Sequence, residues 1–78
     1  MTMQRVGTVV RTAQGLAIAR RDPGAEPPDI GLMVVDESLS TVGRVVDVFG
    51  PVGHPYVAVT PDDDVPLAEL LGGKLYGR

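Results

Sequence analysis

This sequence predicts a small all-β barrel or sandwich in a single domain, and three observations carry the prediction. The 78 residues include ten glycines and seven prolines, which break the chain into short pieces. Valine recurs throughout, while aromatics are limited to one Phe and two Tyr. The apolar runs are short, Val-rich and bounded by Gly, Pro or Asp, as in strands joined by tight turns.

The elements follow in order. Residues 4–12 read as a first strand with Val6, Thr8 and Val10 on one face. Gln14-Gly15 supplies a tight turn, and 16–20 form the returning strand, with Leu16 and Ile18 facing in and Ala17 and Ala19 facing out. Residues 21–31 hold Asp22-Pro23-Gly24 and Pro27-Pro28. Proline removes amide donors and holds the preceding residue extended, so this stretch reads as a surface loop. Residues 32–35 form a short strand and 41–49 the longest one, followed by a loop over 50–55. Residues 56–60 form a further strand, stopped by Pro61. Asp62-Asp63-Asp64 is a solvated turn, Leu67 to Leu71 one helical turn ended by Gly72-Gly73, and Leu75-Tyr76 a last short strand. No internal repeat or low-complexity tract is evident.

Composition excludes several classes. A domain this small buries only about 60% of its unfolded surface. Without cysteine, neither a disulfide nor a thiolate zinc site can staple it. No apolar run reaches the roughly 20 residues that span a membrane, and the first residues lack a signal-type apolar stretch. The expectation is a soluble cytoplasmic protein without a membrane partner. The net charge of −3 lacks the basic surplus that phosphate binding demands, and three aromatics make a poor base-stacking platform. Direct RNA binding as the main activity is disfavoured.

No catalytic set can be assembled. The single histidine, His54, sits in a Pro-rich loop without positioned partners. No Gly-rich phosphate loop precedes a helix. The three aspartates lack the spacing of a calcium loop. Arg11, Arg20 and Arg21 make at most a small basic spot. The chain reads as a non-enzyme without cofactor or metal.

The surplus lies in the central hairpin. Side chains alternate faces along a strand. Val46 and Val48 share one face, and Val45, Asp47 and Phe49 the other. On the next strand, Val57 and Val59 oppose Tyr56, Ala58 and Thr60. A small barrel buries one face of each strand, so Val45, Phe49, Tyr56 and Ala58 are left outside. Clustered exposed apolar side chains mark an interaction site, unless a loop such as 21–31 covers them. The loop Gly50-Pro51-Val52-Gly53-His54-Pro55 is stiffened by two prolines, which leaves little entropy to lose on docking.

The run Val42-Gly43-Arg44-Val45-Val46-Asp47-Val48-Phe49-Gly50-Pro51, followed by Pro55-Tyr56-Val57, resembles the GAR-type subunit of box H/ACA ribonucleoproteins, which use guide RNA to direct rRNA pseudouridylation. Val6-Gly7-Thr8-Val9 with Gly15-Leu16 is similar to that family's opening hairpin. Leu71-Gly72-Gly73-Lys74-Leu75-Tyr76 is similar to its closing Gly-Lys-x-Tyr segment. The sequence has no Gly/Arg-rich tail and so resembles the archaeal form. The resemblance implies a six-stranded, Greek-key, translation-factor-like barrel. It implies docking on the catalytic domain of a dyskerin-like pseudouridine synthase, which supplies the catalytic aspartate. Guide RNA and substrate rRNA are then met only through the complex, and the subunit aids substrate loading and product release through the synthase's mobile loop. The matched positions, taken as partner-binding, are Gly43, Val46, Phe49, Gly50, Pro51, Pro55, Tyr56 and Val57. Asp62-Asp63-Asp64 departs from the more mixed segment of that family.

A PRC-type barrel that binds a ribosomal or cofactor-bearing partner is the alternative. Val34-Val35-Asp36 and Thr41 to Val48 are compatible with it, but it gives no reason for Phe49-Gly50-Pro51 followed by Pro55-Tyr56.

Overall fold

A computed structural model describes residues 4–21, 27–51, 53 and 55–78. The expectations at 22–26, Val52 and His54 lie outside the described residues. Six strands form: β1 (Gln4–Ala13), β2 (Leu16–Arg20), β3 (Met33–Val35), β4 (Thr41–Phe49), β5 (Tyr56–Pro61) and β6 (Lys74–Gly77). They close as an antiparallel barrel in the order β1-β2-β5-β4-β3-β6. β3, β4 and β5 run consecutively, and β6 returns beside β3, which is a Greek key. The expected six-stranded all-β barrel is what the chain forms. In the closed order every strand has a hydrogen-bonded neighbour on each side.

Local chemistry explains the turns. Gln14 and Gly15 have φ of 52° and 78°, the two left-handed residues of a primed hairpin turn. At the β3–β4 turn the Asp36 carboxylate accepts from the amides of Ser38 (2.8 Å) and Ser40 (3.0 Å). Leu67–Leu70 forms a single 3-10 turn beside β1 and β2. Its Leu70 joins the core, and Val65 and Leu67 pack against it.

Four bulges decide which side chains face inward. Between Val9 and Arg11, β1 advances two residues while β2 advances one, from Ala19 to Ile18. The same happens on β1 at Val6 against β6, on β4 at Val42 against β3, and on β4 at Val46 against β5. Each extra residue resets the two-residue alternation. Three expectations are therefore corrected. Val9, not Val10, enters the core. Val45 is fully buried inside, while Val46, expected to share the inner face with Val48, is 41% exposed. Val48 does pack against the core. On β2 the faces are reversed for another reason: Ala17 and Ala19 line the core, and Ile18 is buried on the outer side. The interior of a six-stranded barrel is narrow, and small side chains fill it where β2 pairs with β5.

The register also reveals a repeat where none was evident in the sequence. β1 and β2 pair Thr8 with Arg20, Val9 with Ala19, Arg11 with Ile18, Thr12 with Ala17 and Ala13 with Leu16. β4 and β5 pair Arg44 with Thr60, Val45 with Val59, Asp47 with Ala58, Val48 with Val57 and Phe49 with Tyr56, pair for pair the same. β3 lies on β4 as β6 lies on β1. The hydrogen bonds repeat too: Gly31 N–H donates to Val45 O (2.7 Å) as Gly72 N–H donates to Val9 O (2.8 Å). Each half is a β-β-β unit that opens on Val-Gly-x-Val-Val, at 6–10 and at 42–46. The glycine of each motif sits where a Cβ would collide with a backbone carbonyl, that of Arg20 for Gly7 and that of Thr60 for Gly43.

Candidate docking surface

The outer side of β4 and β5 carries the aromatic pair the sequence singled out. Phe49 and Tyr56 lie directly opposite in register. Their rings stack with centroids 5.7 Å apart and an interplanar angle of 22°. Such a pair contributes about 0.5–1.5 kcal/mol beyond the area it buries. Even so, Phe49 remains 37% exposed, and Tyr56 is half-buried. The pair survives as surface because the Val46 bulge turns the end of β4: Val48 points in, and Asp47 and Phe49 point out. The Asp47 carboxylate accepts from the Val48 amide at 2.8 Å, which braces the bulge from outside.

The eight predicted partner-binding residues divide in two. Val46, Phe49, Gly50, Pro51 and Tyr56 are surface-accessible around the tip of the β4–β5 hairpin. Gly50 has φ of 97°, which lets the chain leave β4 sharply for Pro51. Gly43, Pro55 and Val57 are buried. Val57 is a core side chain, Gly43 permits the close approach of β5, and the Pro55 carbonyl accepts from the Arg21 amide at 2.9 Å. Those three shape the hairpin; their side chains are not on the surface.

The register sets two arginines of the small basic spot on the strands beside this hairpin. Arg20 is the cross-strand neighbour of Tyr56, and Arg11 stands at the far end of the row Arg11, Ile18, Ala58, Asp47. Nothing in the sequence signals these neighbours, because they come from the other half of the chain. Elsewhere a hollow of about 240 Å³ is lined by Asp36, Asp64 and Glu69, a sign of charge that repels phosphate. Among the described residues no cluster of three or more His, Cys, Asp or Glu is placed to hold a metal ion. No helix among them is long and apolar enough to cross a membrane, which says nothing of strands.

The chain is thus a closed six-stranded antiparallel barrel with a part-exposed aromatic pair on its outside. The family model for the Gar1/Naf1 RNA binding region matches residues 3–77, and the chain belongs to that family. It is also similar to an uncharacterized protein of Methanocaldococcus jannaschii, 37% identical over 57 residues, a match covering 73% of this chain and 65% of that protein. The chain thus spans just under two thirds of the curated relative it matches. Of the two barrel families compatible with the sequence, the family match selects the first.

Proposed function

We propose that this protein is a non-catalytic subunit of a box H/ACA ribonucleoprotein, docking on the catalytic domain of a dyskerin-like pseudouridine synthase through the Phe49–Tyr56 face. The observation that carries the reading is the stacked, part-exposed aromatic pair beside Gly50-Pro51, on a barrel of this family. Aromatic side chains are the usual anchors of protein–protein contacts. Docking favours one state of the synthase's mobile loop by differential contact, and so promotes substrate RNA loading and product release. Guide and substrate RNA are met through the complex, since a net charge of −3 supplies no electrostatic basis for tight phosphate binding.

Co-purification with the synthase tests this, comparing wild type with Tyr56→Asp. The charge sits on an outward position, so the barrel stays folded and association is lost. Unchanged binding places the docking face elsewhere. Equal turnover of the guided synthase with and without this protein removes the loading role.

A further inference from the structure

The two halves of the chain are paired with each other more than within themselves. Inside the first half only β1 and β2 pair, and inside the second only β4 and β5. The other four pairings, β1 with β6, β2 with β5, β3 with β4 and β3 with β6, join one half to the other. β3 finds both its neighbours in the second half, and β6 both of its in the first. The core is shared in the same way, with Val6, Val9 and Val34 of the first half against Val45, Val59 and Leu75 of the second. One half alone has no barrel, and a complementary half completes it whichever copy supplies that half.

One turn, residues 36–40, ties the halves together between β3 and β4. It is tight: the Asp36 amide donates to Ser40 O and the Leu39 amide to Asp36 O, both at 3.0 Å. It is also strained. Leu39 has φ of 66°, a left-handed conformation that crowds its Cβ, and its side chain is exposed, so little packing offsets the strain. Drawn out, these five residues span roughly 17 Å, enough to carry the chain from one barrel into a neighbouring one. A short strained hinge between mutually dependent halves is the setting in which copies exchange elements.

We propose that two copies exchange halves by opening this turn, giving a dimer of two barrels, each built from β1–β3 of one copy and β4–β6 of the other. All six pairings and the shared core are kept. What is lost is the turn's own hydrogen bonds, including those of the Asp36 carboxylate to the Ser38 and Ser40 amides. What is gained is relief of Leu39 in both chains. Each barrel still presents a Phe49–Tyr56 pair, now with Arg20 of the other copy beside Tyr56. The exchange does not rest on the docking function proposed above.

Refolding the full chain from urea at micromolar and at millimolar concentration, followed by size exclusion, tests the exchange. Wild type gives monomer when dilute and a growing share of dimer when concentrated. The dimer persists on later dilution, because reversal requires opening a barrel. Leu39→Gly removes the strain at both hinges and lowers the dimerisation constant about tenfold or more, while Leu39→Val, β-branched at a positive φ, raises it. Met33→Cys combined with Arg44→Cys reads out which chain supplies each strand. The two positions are exposed cross-strand neighbours on β3 and β4, and the natural sequence holds no cysteine to compete. On a non-reducing denaturing gel the oxidised monomer runs as one chain and the oxidised dimer as two linked chains. Circular dichroism checks that each variant folds. Monomer at every concentration overturns the proposal, as does a dimer whose chains separate on that gel or one indifferent to both Leu39 substitutions. Loss of synthase binding with this pattern intact refutes the docking reading alone.

Discussion

Replacing Gly43 with Ala is expected to cost more than any other single added methyl on the β4–β5 hairpin. A Cβ at Gly43 collides with the Thr60 carbonyl oxygen and lies 2.8 Å from its carbon and 2.9 Å from Pro61 Cα. All three are backbone atoms, so no side chain can swing aside. β5 must move outward, and the Gly43–Pro61 and Arg44–Thr60 pairings open. Losing one or two ladder hydrogen bonds at about 1 kcal/mol each, with overpacking of about 1–3 kcal/mol, gives about 3 kcal/mol. For 78 residues the unfolding entropy is about 0.16 kcal/mol/K, so the melting temperature falls by roughly 18 °C. Calorimetry or a circular dichroism melt measures it. Gly53→Ala is the control, since a Cβ there has no atom within 4 Å. It is expected within about 0.5 kcal/mol of wild type. A Gly43→Ala variant melting within about 3 °C of wild type refutes the close-approach account.

Two more outcomes follow from the bulges and the backbone. Val45→Ala, in the core, is expected to destabilise by about 2 kcal/mol, and Val46→Ala, on the bulge, by less than about 0.5, both read from urea midpoints. The reverse order removes the bulge at Val46. Leu39 is 58% exposed with φ of 66°, a left-handed conformation strained for Leu, so Leu39→Gly raises the melting temperature by a few degrees; a lowered one shows the strain to be absent.

The strand positions were legible because Gly, Pro and Asp punctuate them: β2 and β4 run over the residues the pattern marks, and Gln14-Gly15 turns where expected. The faces were less legible. Val9-Val10 and Val45-Val46 are identical neighbours, and nothing in such a pair says which residue the bulge expels. On β2, size misleads: Leu16 and Ile18 are the larger residues, but the narrow lumen takes Ala17 and Ala19. The surface placement of Phe49 and Tyr56 was legible from alternation, whereas Ala58, expected to be exposed beside them, is buried. The repeat is hard to see in the sequence because the four shared motif positions are followed by unlike ones: Ala13 stands where Phe49 does, and Leu16 where Tyr56 does.

Those unlike positions give the repeat its use. Two equivalent hairpins support one scaffold, so the scaffold needs each only for its inward residues. The first hairpin ends in Ala13 and Leu16 around a bare two-residue turn. The second ends in Phe49 and Tyr56 around a longer, proline-bearing loop. Duplication thus frees one copy to specialise while its twin keeps the ring closed. The stacked aromatic pair stands in only one of the two hairpins of a barrel whose architecture is written twice.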